Sequence, residues 1–378
     1  MSIHLVDYTQ RCILVILLFL VTFAQATAQS GPGCQVSGVD NVFADSFEAD
    51  PFCPEPCLVN EQIQAVRDSA DGPVSLPVDH VYVTYIRPTV GNDLTGFFLQ
   101  GRNHTGPAIY ANIDPAGLEP ALEVGDVVSL TVTEVGSLNG VRSIVSISAL
   151  VVEAKGQPIT GFRSDVSFNT DLISDLGAYE SEMISLSGAI GSAFNAAGPG
   201  FEAAILSTQG IIGNPDLRLR IPAVLREEIS LDHGCMIELC RAPMWRFNNI
   251  AQPSAWYAND ISVVNCPAPR VVSAAALDAN TVRITFDRQI DVSSVTGDGS
   301  QFAFDNGLIA TGAVANGDHV EVSTSTQVSD QIYQLVVADS VKDTFGSGVD
   351  AGANSTEFKG FRQPAVSAHL TGMVSFQN

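Results

Sequence analysis

The sequence predicts an all-β chain of several small modules. Apolar and polar residues alternate in short runs from residue 60 onward, the period-2 pattern of half-buried strands. Turn formers rich in Gly, Pro, Asn and Asp separate those runs, as connections between strands require. Farther along, Val282, Ile284 and Phe286 occupy every second position, which sets three large side chains on one face of a sheet.

The chain opens with Arg11, an apolar run over residues 13–23 and then Ala26-Thr27-Ala28. A basic residue, a short apolar run and a small-x-small site make a cleavable secretory signal over residues 1–28, with the cut before Gln29. The run is shorter than the roughly 18 apolar residues a spanning helix needs. No later segment is long and apolar enough to cross a bilayer, so the mature chain is expected to have no membrane span and to be secreted or to sit at the cell surface. Gly31-Pro32-Gly33 ahead of Cys34 makes a poor lipid-attachment site.

Cysteine usage agrees with export. Cys12 leaves with the signal, and Cys34, Cys53, Cys57, Cys235, Cys240 and Cys266 remain. An even count in an exported chain favours disulfides. Three fall in the leader and three in the second module, so at least one bridge should join the two groups unless two thiols stay unpaired. The spacings Cys53-x3-Cys57 and Cys235-x4-Cys240 lack the close pairing with histidines that zinc prefers.

The net charge is -23, and acids outnumber bases about twofold in each module. With no basic island, bulk electrostatic binding of a polyanion is disfavoured, because neutralising phosphates takes clustered Lys and Arg. An acidic surface keeps an exported protein soluble, and it could also invite calcium.

Residues 29–59 form a leader rich in Cys, Pro and Gly. It contains Val42-Phe43-Ala44-Asp45-Ser46-Phe47-Glu48, which resembles a short motif recurrent in exported bacterial proteins. A helix is expected over residues 59–68 and strands over 81–86, 96–100, 108–113, 126–134 and 142–152, with turns at 88–93 and 136–140. Five strands of these lengths suit a small closed barrel. Here Gly96-Phe97-Phe98-Leu99-Gln100, Ala108-Ile109-Tyr110, Leu122 to Val128 with its Val124-Gly125-Asp126, and Leu138-Asn139-Gly140 resemble the OB-fold module that accompanies extracellular bacterial nucleases. The resemblance implies an OB-type barrel over residues 60–155. The catalytic domain that follows such modules in that family, with its Asn, Glu, Asp and His motifs, has no counterpart in this sequence.

Residues 165–266 repeat the pattern less cleanly. Strands are expected over 182–188, 201–207, 217–221, 235–239 and 261–264, which would make a tandem of OB-type barrels. In residues 268–361, the strings 271–275, 280–287, 333–337 and 341–346 resemble the Ig-like domain of bacterial surface-layer and adhesin proteins. That resemblance implies a β-sandwich serving as a spacer. Residues 362–378 form a tail.

No constellation for chemistry stands out. His80, His104, His233, His319 and His369 are dispersed without partners at metal spacing. Phe345-Gly346-Ser347-Gly348 lacks the strand-to-helix context of a nucleophile elbow. Residues 196–200 lack the Lys-Ser/Thr and helix of a phosphate loop. Glu227, Glu228 and Asp298 are acids among many, and no spacing selects a pair. No cofactor, metal site or catalytic residue is therefore expected.

One stretch could carry recognition. Arg218 and Arg220 stand on one side of a strand, and Arg241, Trp245, Arg246 and Trp256 follow, bringing both tryptophans into the second module. Aromatics provide stacking platforms and arginines bidentate contacts, as OB barrels use for single strands or sugars. The plainer expectation is that Trp245 and Phe247 share a face and fill a barrel interior, while the arginines pair with nearby acids. The sequence thus reads as a non-catalytic, exported binding or scaffolding protein whose extracellular or surface ligand is unknown. A nucleic-acid-binding accessory of a secreted nuclease system, or a hydrolase with an unrecognised site, are the alternatives.

Overall fold

The computed structural model describes residues 52–53, 57–102 and 106–362. The signal at 1–28, Cys34 and the 42–48 motif of the leader, His104, His369 and the tail from 363 lie outside the described residues.

Helix α1 (Val59–Asp68) lies as the sequence places it, with Val59, Ile63 and Val66 buried along one stripe, the spacing of a helix face packed on a core. Five strands follow: β1 (Gly72–Arg87), β2 (Gly96–Gln100), β3 (Ala108–Ala111), β4 (Val127–Leu138) and β5 (Val141–Ala154). They close into a barrel in the order β1-β2-β3-β5-β4. All pairs are antiparallel except β3 with β5, which is the arrangement of a five-stranded Greek-key barrel of OB type. Register shifts in β1 near Val78 and Val83 let one long strand bend and pair with β4 along one stretch and β2 along another. Val81, Val83, Phe97, Leu99, Ile109, Val128, Val132 and Ile144 fill the interior.

Strand β2 is buried at all five positions. Its inner face is the barrel core, and its outer face, with Phe98 and Gln100, lies under the next body. An apolar run without alternation, Gly96-Phe97-Phe98-Leu99-Gln100, is what a strand covered on both sides requires.

The second body is an eight-stranded sheet made of β6 (Ser164–Asp165), β7 (Met183–Ile190), β8 (Asn195–Ala196), β9 (Phe201–Thr208), β10 (Arg218–Pro222), β11 (Met236–Phe247), β12 (Ile250–Pro253) and β13 (Ile261–Asn265). Its path runs β10-β9-β7-β11-β12. Two parallel bridges, Leu217 to Ala251 and Arg220 to Ser254, bring β10 against β12, so the sheet curls back on itself around Ile184, Leu206, Leu219, Ile221, Ile237 and Met244. Short helices α2 (Leu176–Tyr179) and α3 (Ala223–Glu228) flank it.

β11 runs on to Phe247, well past the expected end at residue 239, and turns through Asn248 and Asn249 into β12. Neither that extension nor β12 was expected from the sequence. The reason is local: the turn carries no Gly, and Asn248 itself takes the left-handed backbone, with φ 53°, a conformation Asn tolerates better than most residues.

The third body pairs two sheets. One is β14 (Val271–Asp278), β15 (Thr281–Phe286), β18 (His319–Thr324) and β17 (Ala310–Asn316), in the order β14-β15-β18-β17. The other is β16 (Phe302–Phe304), β19 (Ile332–Val337) and β20 (Ser355–Lys359). Val282, Ile284 and Phe286 point into the core with Val320, Val322, Leu335 and Val337, as their alternation requires. The string at 341–346 is a bridged loop rather than a strand. Gln289 Nε2 donates to Glu227 O at 3.2 Å, one of the bonds linking this sandwich to the second body.

Candidate site at the junction of the first two bodies

The sequence places Phe98 and Tyr110 on the faces of β2 and β3 opposite the barrel core. With Tyr85 of β1 and Val141 of β5 they meet Met183, Phe201, Trp245 and Trp256 of the second body in one buried cluster. Ring centroids lie 5.1 Å apart for Tyr110 and Trp245, 5.7 Å for Tyr85 and Trp256, and 6.3 Å for the two tryptophans. The pairs of Trp245 with Tyr110 and with Trp256 are edge-to-face, a geometry that adds to the gain from burial alone.

Trp245, 3% exposed, is therefore buried between the two bodies. The expectation that it fills a barrel interior alongside Phe247 is corrected on both counts. Phe247 is 46% exposed, because the rim of the hairpin it ends lies outside either core.

Polar groups fix the register of this interface. The Tyr85 hydroxyl donates to Asp260 Oδ2, which also accepts from the backbone N–H groups of Trp256 and Tyr257 at 3.1 and 2.9 Å. Burial, reinforced by the Asp260 charge, holds the Tyr85 pKa well above its usual value. Burial raises Asp260 too, with its hydrogen bonds pulling the other way. Glu180 accepts from Arg142 N at 2.8 Å and from Arg246 Nη1 at 2.8 Å, one from each body. Gln100 Oε1 accepts from Met183 N at 3.2 Å, and Asn139 O from Asn248 N at 2.7 Å. Backbones approach closely here. A Cβ on Gly91, which has φ +56°, would stand 1.9 Å from Pro199 O, and one on Gly140 would stand 2.8 Å from Asn248 Cα.

A cleft of about 650 Å³ opens along the edge of the junction. Its walls include Arg218, Arg220, Trp245 and Phe247, with Asn195 and Gln252 from the second body and Asp93 and Asn139 from the first. Three of the six nominated recognition residues thus meet at one surface. Arg218 Nε donates to Pro215 O at 2.6 Å. Arg220 is buried with its guanidinium 3.4 Å over the Phe201 ring and Nη2 2.9 Å from Asp93 Oδ2. Burial lowers its pKa, and Asp93 opposes that shift.

The other three serve the junction itself. Arg241 Nε stands 3.9 Å from Asp260 Oδ1, Arg246 is paired with Glu180, and Trp256 belongs to the aromatic cluster. Sequence reasoning missed Arg87 and Asp93, which lie at a strand end and in the following turn, where no motif marks them.

Arg163, Asp165, Asn169, Tyr179 and Glu182 line a second cleft of about 480 Å³. Burial pushes the Glu182 carboxyl from 4.5 up to about 8, with Arg67 opposing the shift. Among the described residues no group of three or more His, Cys, Asp or Glu is placed to hold a metal ion, and no helix is long and apolar enough to cross a membrane. His80 Nδ1 lies 2.6 Å from Glu153, and His319 Nδ1 3.1 Å from Asp318.

Among the described residues Cys53 is bridged to Cys57 and Cys235 to Cys266. Cys240 is disulfide-bonded as well, and Cys34 lies outside the described residues.

No family model matches the chain, and no curated protein matches it. Among solved structures it is similar to the N-terminal part of the bacterial S-layer protein SbsC, at 23% identity over 25% of this chain and 23% of that one, with a TM-score of 0.22. A longer SbsC fragment gives 23% identity over 26% and 14%, with a TM-score of 0.23. The p204 HINb domain is similar at 11% identity over 51% of this chain and 97% of that one, with a TM-score of 0.26. The chain spans less than a quarter of the S-layer proteins it resembles, and scores this low leave function to be argued from the residues themselves.

Proposed function

We infer that this is an exported, non-catalytic binding protein of the bacterial cell exterior. In this reading its two barrels act as one ligand-binding unit, and the Ig-like sandwich acts as a spacer. The observation that carries the reading is the junction cleft. Arg218, Arg220 and Trp245, nominated from the sequence as recognition residues, line it together with the half-exposed Phe247. A concave site with aromatic walls and a few converging polar groups is the usual form of a small-ligand pocket. Export is supported by the signal-like N-terminus and the disulfides. The nuclease-accessory alternative requires a long polyanion to approach a chain of net charge -23, which opposes it.

The test is cell fractionation with N-terminal sequencing, followed by assays for hydrolysis of nucleic acids, phosphoesters and glycosides. The expected result is a mature chain outside the cytoplasm, starting at Gln29, with no turnover. Glu182 favours one rival, since a buried carboxyl with a raised pKa in a cleft suits an acid catalyst. Turnover lost in Glu182→Gln would establish that rival in place of a pure binding role.

A further inference from the structure

The junction gathers positive charge in a strongly acidic protein. Arg87 is 0% and Arg220 7% exposed, and both turn to the same carboxylate. Asp93 Oδ2 is 2.9 Å from Arg220 Nη2 and 4.0 Å from Arg87 Nη1. One aspartate cannot neutralise two guanidinium groups. Arg87 Nη2 donates to Leu94 O at 2.7 Å, and Arg220 Nη1 is buried without a hydrogen-bond partner among the described residues.

Aromatic faces offset part of the cost. Arg87 stands 4.7 Å from the Tyr110 ring centroid and 4.8 Å from that of Trp245, and Arg220 stands over Phe201. Such contacts attract a cation without satisfying its N–H donors. Two buried guanidinium groups that share one carboxylate, with a donor left unmade, are costly. An anion at the cleft wall would add the second negative charge.

Arg220 lines the junction cleft, where the other charged walls are Arg218 and Asp93. The remaining lining includes Asn139, Ser192, Asn195 and Gln252, which offer hydroxyl and amide partners, and Phe247, which offers a flat apolar face. At about 650 Å³ the space suits one small molecule. We propose that the junction cleft binds an acidic sugar, its carboxylate or phosphate oxygens taken at the Arg218 and Arg220 edge of the cleft and its ring laid against Phe247. The assignment rests on the reading of this cleft as the binding site and names its ligand class. A long polyanion is disfavoured, because the local excess of arginine ends at the cleft walls and the rest of the chain repels it.

The full mature protein would be titrated with glucuronate, glucose 6-phosphate, inorganic phosphate, neutral glucose and a short oligothymidylate. Tryptophan fluorescence provides the signal, since Trp245 lines the cleft, and calorimetry supports it. The expected result is saturable binding of glucuronate or glucose 6-phosphate at least about tenfold tighter than glucose, as one charge-assisted contact predicts. Which of the two acids binds tighter separates a carboxylate from a phosphate ligand. Arg220→Ala should abolish binding. Because that change could loosen the junction, Arg218→Ala is the second variant, expected to weaken binding about tenfold at an unchanged melting temperature. Glucose binding as tightly as its acids would leave the cleft as a binding site and overturn the oxyanion assignment. Phosphate binding as tightly as both acids would remove the sugar from it, and oligothymidylate binding tighter than the sugars would replace it with a nucleic acid. Absence of any saturable response would overturn the assignment and the binding reading of the cleft together.

Discussion

Asp93 Oδ2 lies 2.9 Å from Arg220 Nη2, so a turn of the barrel holds a strand arginine of the second body. The pair sits at the edge of a buried aromatic cluster to which β1, β2, β3 and β5 contribute from one side and β7, β9 and β11 from the other. The outer faces of β2 and β3, which would otherwise be open to a ligand, are spent on this contact. In the proposed reading, the ligand meets the rim, where Arg218 and Phe247 remain accessible.

Close approach at the rim predicts a sharp contrast between two glycines that both have positive φ. Gly91→Ala would drive a Cβ into Pro199 O, whereas a Cβ on Gly156, φ +63°, meets nothing within 4 Å. Gly156→Ala should cost only backbone strain, about 1 kcal/mol. Gly91→Ala should cost several times that and should distort the cleft, read as a fall in denaturation midpoint. Equal losses at the two sites would contradict the junction geometry.

The thiols make a second prediction. Peptide mapping without reduction should return Cys53–Cys57, Cys235–Cys266 and, by elimination from the bonded Cys240, a link from Cys240 to Cys34. That third bond would tie the leader to the second body. Finding Cys34 and Cys240 both as thiols in the secreted protein would refute it.

Glu182 predicts a pH dependence whose sign follows from its raised pKa. Below pH 4.5 the carboxyl is protonated in the folded and the unfolded chain, so it costs nothing. Between 4.5 and about 8 the folded chain keeps a proton that the unfolded chain releases, so stability falls as pH rises through that window. Glu182→Gln removes the titration. The variant should match the wild type near pH 4.5 and exceed it above pH 8 by on the order of a few kcal/mol. A parallel pH profile for the two proteins would show that Glu182 is ionised at no cost.

A fourth prediction separates the rim from the core. Phe247→Ala should leave the melting temperature within about 1 °C of wild type, as a surface substitution does. It should weaken sugar-acid binding nonetheless, because the exposed ring supplies the flat face of the cleft. A large loss of stability with binding unchanged would place Phe247 in the core instead.

Much of the architecture was legible in the sequence. α1 and β2 fall where periodicity puts them, and Val282, Ile284 and Phe286 face the sandwich core because strand alternation leaves no other choice. Local pattern stopped at the hairpin of β11 and β12, where an Asn-Asn turn replaces the glycine that normally marks such a turn. The cleft was half legible: Arg218, Arg220 and Trp245, singled out for their chemistry, line it together. Arg87, Asp93, Tyr85 and Asp260 acquire meaning only when two distant segments meet, and nothing in one chain's local pattern encodes that meeting. Phe98 carried the one available hint, since an unbroken apolar strand implies cover on both faces.

If the first two bodies fold as one unit, scanning calorimetry of the mature chain and of Trp245→Ala should show it. Deleting a buried aromatic costs about 3–5 kcal/mol, and Trp245 contacts both bodies. Both bodies should melt together in the wild type, Trp245→Ala should lower that shared transition or split it in two, and the sandwich transition should stay in place. Two separate transitions for these bodies in the wild type, with Trp245→Ala shifting only that of the second, would contradict a shared folding unit.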